Sequence, residues 1–248
     1  KSMNAKILGK TVALSLSAIS VMWSVAASAD EGYWNQWRGG NRDGTVSAPA
    51  WPASLNGKLT LIWEKSHGPS YSGPVVDGQR VFTTETIDEQ FEQVTAYELS
   101  TGEELWSVRW PGAMKVPFFA AANGSWIRST PVCANGQLLV LGMLDVLVSL
   151  DPNTGAENWR VDFPKQHGSP LPAFGAASSP LVDQGDVIVQ TGGAVVKLDM
   201  QDGSLIWKTL ENGTDMMSSG AFSSPTIATL QGVRQLVVQT RTHLCGVD

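Results

Sequence analysis

The chain has 248 residues, 42% hydrophobic and 16% charged, with 25 Gly and 13 Pro, the composition of a turn-rich globular protein rather than of a fibre or a disordered tail. The formal net charge is −6 and no cluster of Lys and Arg occurs. That argues against non-specific nucleic-acid or anionic-membrane binding, because both need grouped cations to meet phosphate.

In chain order, residues 1–29 read as a secretory signal peptide. Lys6 and Lys10 form a short positive region, Thr11 to Val25 is predominantly apolar, and Ala27-Ser28-Ala29 is a small-x-small cleavage signal before Asp30. Met3 reads as the start, with Lys1 and Ser2 as upstream read-through. The apolar stretch is short for a bilayer, and no later one reaches the roughly 20 residues of a spanning helix. No Cys follows the cleavage site, so neither a lipid anchor nor a transmembrane segment is expected. The reading is an exported protein, periplasmic or secreted, with residues 30–248 as its mature part.

Residues 34–44, WNQWRGGNRDG, open the mature part. Arg38, Arg42 and Asp43 are expected to form an ion-paired turn that pins the entry strand, with an anion site as the alternative. Trp63 follows in LTLIW, on what reads as an N-terminal strand completing a blade built mainly from the C-terminal end.

From residue 72 one order of elements recurs. Ser-x-Pro at 72–74, 129–131, 178–180 and 223–225 opens an apolar strand, and a hairpin turn follows in VVDGQRV, VCANGQLLV and LVDQGDVIV. Asp77-Gly78 and Asn135-Gly136 are the strongest of these turn signals, because such turns need positive φ. A second strand, a third ending in an acid, a Gly turn and a Trp strand complete each unit: AYELSTGEELW (96–106), SLDPNTGAENW (149–159) and KLDMQDGSLIW (197–207). Trp63, Trp106, Trp159 and Trp207 recur at intervals close to the ~40–50 residues of one four-stranded propeller blade. The runs are short, rich in Val, Ile, Leu and Thr and bounded by Gly, Pro, Asn and Asp, as strands are; helical periodicity is absent after residue 29. Asn123-Gly124-Ser125 and Asn212-Gly213-Thr214 read as turns, although both match glycosylation sequons.

Within each unit Glu98, Asp151 or Asp199 is placed to accept backbone N–H bonds from the turn, and Gly102, Gly155 or Gly203 to take the left-handed conformation. The Trp then arrives at a fixed offset. An indole buries on the order of 200 Å², so its expected role is a wedge between successive blades. Cys133 and Cys245 sit two units apart and are expected as unbridged, small buried hydrophobes.

AYELSTGEELW, SLDPNTGAENW and KLDMQDGSLIW resemble the A-x-D-x-x-x-G-x-x-x-W tryptophan-docking motif of the PQQ-like (quinoprotein-type) β-propeller repeats, and WNQWRGGNRDG resembles the opening of exported bacterial members of that family. Glu98 in place of Asp, Lys197 in place of a small residue, and Gly57 six residues before Trp63 depart from the pattern. The resemblance implies an all-β propeller of four-stranded antiparallel blades. GVD at 246–248 aligns with SLD and KLD, so the Gly turn and Trp of a fourth unit are expected beyond residue 248. The chain therefore reads as the front part of a ring that the resemblance makes eight-bladed.

No chemistry-bearing cluster emerges. His67, His167 and His243 stand apart as surface or turn histidines, and neither a D-x-D-x-D-G calcium loop, a G-x-S-x-G elbow nor a haem motif occurs. No catalytic, cofactor or metal residue is assigned. The resemblance brings pyrroloquinoline quinone with calcium only if residues beyond 248 supply the site. The working surface is placed in the connections between each Trp strand and the next Ser-x-Pro, where Tyr71, Phe118, Phe119, Trp126, Arg128, Phe174, Met217 and Phe222 are candidates for gripping a partner. Three readings stay open: a non-catalytic exported scaffold binding a protein or small ligand, a quinoprotein oxidoreductase, and a propeller subunit of outer-membrane β-barrel assembly. The last is a lipoprotein role, and the missing anchor Cys counts against it.

Overall fold

In the computed structural model the described residues are 34–46, 50, 52–211, 213, 219–220 and 222–248. The residues read as a signal peptide lie outside them, as does Met217. Glu31–Asp248 forms one compact unit of radially successive antiparallel sheets. Blade 1 holds β1 (Val75–Asp77), β2 (Arg80–Ile87), β3 (Phe91–Glu98) and β4 (Glu104–Pro111); blade 2 holds β5 (Val132–Ala134), β6 (Gln137–Leu141), β7 (Val146–Leu150) and β8 (Glu157–Asp162). Blade 3 holds β9 (Leu181–Asp183), β10 (Asp186–Gln190), β11 (Val195–Asp199) and β12 (Leu205–Thr209), and the fourth sheet holds β13 (Thr226–Leu230), β14 (Val233–Gln239) and β15 (Leu244–Val247). Each first strand begins directly after the proline of Ser-x-Pro, as that residue's lack of an N–H favours a strand start.

The core lies between blades because blades 2 and 3 are apolar on both faces. On β6, Leu138 and Val140 pack with Val75, Phe82, Val94 and Ala96 of blade 1, while Leu139 and Leu141 pack with Val187, Val189, Val196 and Leu198 of blade 3. Successive strand residues point to opposite faces, so the unbroken run Leu138–Leu141 serves two interfaces at once. Leu181, Ile188 and Val195 meet Leu236 and Val238 of the fourth sheet in the same way.

Hairpins set the register. Asn135-Gly136 joins β5 to β6 with φ of 49° and 74° and pairs Ala134 with Gln137. In the first blade the apex is shifted by one residue from the expected Asp77-Gly78: Asp77 pairs with Arg80, leaving Gly78-Gln79 as the loop, with Gly78 at φ 60°. Every complete blade carries a bulge at one place, where Leu105, Asn158 or Ile206 of the fourth strand is skipped between its paired neighbours. A bulge re-aims the residue beside it, here the Trp.

The tryptophans are inter-blade wedges with a common geometry. A Cβ on Gly102, Gly155 or Gly203, all at positive φ, would come within 2.6 to 2.8 Å of the ring of Trp63, Trp106 or Trp159 respectively. Each indole Nε1 also donates to the carbonyl three residues before that glycine: Leu99 at 2.8 Å, Pro152 at 3.1 Å and Met200 at 3.0 Å. Trp207 packs against the core between blade 3 and the fourth sheet. Trp63 docks like the others, yet its segment is a correction to the sequence reading: residues 59–74 form no strand among the described residues, and Leu59, Leu61 and Ile62 are exposed.

Other expectations need correcting. Asp151 and Asp199 accept N–H bonds from Asn153 and Gln201, both at 2.7 Å, but the longer Glu98 side chain takes the Ser100 hydroxyl instead. Cys133 and Cys245 are both free; Cys133 is buried and Cys245 half-buried. A short α1 (Phe163–His167) follows β8 where no helix was expected, capped by Asp162 and closed by left-handed Gly168. Its signals are the N-cap Asp, Pro164 in the first turn and the terminal Gly, and five residues are too few for periodicity to register.

Arg42 is also not ion-paired. Its buried guanidinium donates to the carbonyls of Pro180 (2.8 Å) and Ser179 (3.3 Å) and to Gln36 Oε1 (3.1 Å), with its cation 5.3 Å from the centre of Trp37. Arg38 donates to the Asp43 carbonyl, and the Asp43 carboxylate caps Thr45. The turn pins the entry segment through carbonyls. Trp34 bridges to Val76 of β1 and the Asn35 carbonyl accepts from Cys133 N of β5, so residues 34–42 tie three blades together.

Two further devices join neighbours. The middle residue of each Ser-x-Pro passes its amide to the next: Gly73 N donates to Thr130 Oγ1, Thr130 N to Ser179 Oγ, and Ser179 N to Ser224 Oγ, at 3.1, 3.0 and 2.9 Å. Buried carboxylates make the second device. Glu92 of blade 1 accepts from Met143 N of blade 2 at 2.6 Å, and Asp145 of blade 2 from Gly192 N of blade 3 at 2.9 Å. Gln190 continues the series by donating to the Gln239 carbonyl of the fourth sheet.

Candidate functional site

The connection between blades 1 and 2 is an anchored loop. Residues 112–131 carry a 3₁₀ helix, Phe118–Asn123, none of whose residues is buried. The loop is held at both ends: Val116 N donates to Ser125 Oγ, Ile127 N to Thr86 Oγ1, and Tyr71 N to the Ile127 carbonyl. Gly124, at φ 75°, lets the Trp126 ring lie where a Cβ would approach to 2.5 Å. A glycine is required there on both counts.

On this base the candidate residues converge. The Tyr71 and Trp126 rings lie 5.2 Å apart, and the Tyr71 hydroxyl donates to the Asn123 carbonyl. The Arg128 cation sits 5.0 Å over Tyr71, while its guanidinium donates to the carbonyls of Phe174 (3.0 Å) and Gly124 (3.2 Å). Burial lowers the Arg128 pKa. The arginine is thus a strut between two loops rather than a free cation.

A row of phenylalanines runs on from it. Phe118 meets Phe119 edge-on at 5.7 Å, Phe119 meets Phe174 at 6.1 Å, and Phe174 meets Phe222 at 6.0 Å. These rings come from all three inter-blade connections, whose ends the blade packing brings together. Seven of the eight expected residues therefore form one connected set, and Met217 lies outside the described residues. The set divides by burial. Tyr71, Phe118, Phe119 and Phe222 are exposed, and Trp126, Arg128 and Phe174 are half-buried supports.

The site offers apolar ring edges and faces, with no nucleophile or acid-base pair among them. Among the described residues no three His, Cys, Asp or Glu side chains gather to hold a metal ion, so no step through calcium or a quinone is derived from them. His67, His167 and His243 are exposed and make local contacts, with the Gly68 carbonyl, the Phe163 ring and the Thr242 hydroxyl. No described helix is long and apolar enough to cross a membrane.

Sequence reasoning passed over two buried carboxylates. Burial pushes the Glu92 carboxyl up to about 7, against hydrogen bonds from Met143 N and Trp110 Nε1 that favour its charged form. Burial likewise raises Asp145 to about 6, opposed by Gly192 N and the Ser169 hydroxyl, with Asp162 adding to the rise. Two glycines leave room for the carboxylate: a Cβ at Gly112 or Gly142 would come within 2.5 or 2.0 Å of Glu92 Oε2. Both groups are buried between blades.

Comparisons with known proteins give a consistent picture. The family model described as outer membrane protein assembly factor BamB, a PQQ-like repeat family, matches residues 42–123 and 90–248. Among solved structures, a europium-containing methanol dehydrogenase superposes with a TM-score of 0.56 at 19% identity, covering 73% of this chain and 32% of its own. The quinohemoprotein alcohol dehydrogenase of Comamonas testosteroni gives 0.55 at 20% identity, covering 74% and 28%. BamB from Moraxella catarrhalis gives 0.47 at 16% identity, covering 69% and 43%. No curated protein sequence matches. The chain spans about a third of the length of the two dehydrogenases, and at these identities they speak to the fold alone.

Proposed function

The chain belongs to the BamB/PQQ-like repeat family of β-propellers, and from that premise we propose that it is an exported, non-catalytic propeller scaffold that binds a partner through the loop face between its blades. The observation that carries this reading is the row Phe118–Phe119–Phe174–Phe222. Soluble proteins seldom display contiguous apolar patches of this kind unless something covers them. The supporting layer beneath, with Arg128 spent on two carbonyls and Trp126 seated on Gly124, holds the rings in place before any partner arrives. Preorganisation of this sort lowers the entropic cost of binding. Residues 1–29 support export by their composition.

A second reading makes the partner a component of outer-membrane protein assembly in the periplasm; the description of the matched family model favours it. A quinoprotein oxidoreductase is the third reading, and the quinone titration below tests it. The test is comparative capture of periplasmic proteins by the wild type and by a Phe118→Ser/Phe222→Ser variant of equal melting temperature. Bands retained by the wild type and lost in the variant are expected, and identical capture overturns the proposal. In parallel, titration of the protein with quinone and Ca²⁺ is expected to give no chromophore shift; a saturable shift would move the assignment to redox chemistry.

A further inference from the structure

Resting on the loop-face reading above, we propose that the occupant of this face is an extended peptide segment with uncharged, apolar side chains at alternate positions, laid across the three inter-blade connections. Three observations point to it. The first is spacing: Phe119, Phe174 and Phe222, one from each connection, follow one another at 6.1 and 6.0 Å. Side chains on one face of an extended strand repeat at about 6.6–6.8 Å, close enough for residues i, i+2 and i+4 to meet successive rings. Side chains one turn apart on a helix are spaced at a similar ~5–6 Å, so the alternating peptide of the test below is what separates an extended occupant from a helical one.

The second is charge. The cation inside the set, Arg128, is engaged by the Phe174 and Gly124 carbonyls and by the Tyr71 face. Lys115, in the same connection, is paired with Glu89 at 3.8 Å. The rings themselves offer no ionic partner, so a charged side chain entering the row would lose hydration without compensation.

The third is area. Phe118 is 91% exposed, Phe222 69%, Phe119 60% and Tyr71 48%. With aromatic side chains of 150–250 Å², these offer on the order of 500 Å² together. Stable association with a second globular subunit needs about 800 Å² from each side. The row is too small for a stable dimer of this chain and of the right size for a linear segment of five to seven residues.

The test uses the full chain and two fluorescent, end-capped heptapeptides of one composition. In one, serine and phenylalanine alternate; in the other, the three phenylalanines are adjacent. Anisotropy titration is expected to show the alternating peptide binding about tenfold more tightly, with Phe119→Ser and Phe222→Ser each weakening it by about tenfold at unchanged melting temperature. Equal affinity for both peptides, weakened alike by the substitutions, would overturn the extended register while leaving the loop-face reading in place. Binding of neither peptide, with periplasmic capture also unchanged in the Phe118→Ser/Phe222→Ser variant, would remove both. Concentration-dependent dimerisation abolished by Phe118→Ser would assign the face to a second copy and overturn the peptide.

Discussion

At the scale of single residues, the docking turns separate two costs that usually come together. Gly155 and Gly136 both hold φ near 74°, yet a Cβ at Gly155 would meet the Trp106 ring at 2.6 Å whereas one at Gly136 meets nothing within 4 Å. Gly136→Ala is expected to cost about 1 kcal/mol, the strain of an L-residue in the left-handed region. Gly155→Ala should cost a further ~1–3 kcal/mol, because the indole must shift within a packed interface. Urea denaturation of the two variants measures the difference directly. Trp159→Phe keeps a ring but loses the bond to the Met200 carbonyl, and should lower stability by about 1–2 kcal/mol in the same assay. Phe118→Ser, on an exposed ring, is expected to leave stability within about 0.5 kcal/mol.

At the scale of elements, the joints between second and third strands respond to pH. Glu92 and Asp145 are carboxyls whose folded pKa values, about 7 and about 6, stand above their ordinary values of 4.5 and 3.8. The folded state therefore holds protons that the unfolded chain has already released, so the contribution of these two groups to stability is fully present below pH 4 and is lost as pH rises through 6 and 7. Each group contributes on the order of 3 kcal/mol to that decline. The groups facing Glu92 are Met143 N and Trp110 Nε1, and those facing Asp145 are Gly192 N, the Ser169 hydroxyl and, electrostatically, Asp162. Asp43, Glu157, Asp162 and Asp202 shift the other way, but they lie at or near the surface, where solvent screens them. The melting temperature should thus be higher at pH 5 than at pH 7.5, and a Glu92→Gln/Asp145→Asn variant should flatten the profile. These joints were not legible in the sequence: FEQVTAYE gives no sign that its first Glu turns inward, because that depends on Met143, 51 residues on. The blades were legible, since Ser-x-Pro, the hairpin glycines and the Trp offset are local signals. The bulges at Leu105, Asn158 and Ile206 were not, because register belongs to a strand pair and one strand's pattern does not fix it. The aromatic candidates were found by type and position in the loops, but which of them are exposed and which are struts depended on contacts between loops far apart in sequence.

At the scale of the molecule, the entry segment acts as a clasp across three blades. Trp34 pairs with Val76, Asn35 with Cys133, and Arg42 with the Ser179 and Pro180 carbonyls. Arg42→Met removes the last of these and leaves two buried carbonyls without that donor. It is expected to speed hydrogen exchange at the Val76 and Cys133 amides together; acceleration at neither would show that Arg42 does not hold the segment. Independent of that clasp, the serine and threonine ladder has a direction. Gly73 leans on Thr130, Thr130 on Ser179 and Ser179 on Ser224, so each hydroxyl serves the unit before its own. The indoles and buried carboxylates likewise reach forward to rest on the unit after. Injury in such an array travels upstream: a lesion in one sheet loosens the anchorage of its predecessor first, and the tolerance of any position to change is set by the neighbour that relies on it rather than by the sheet that carries it.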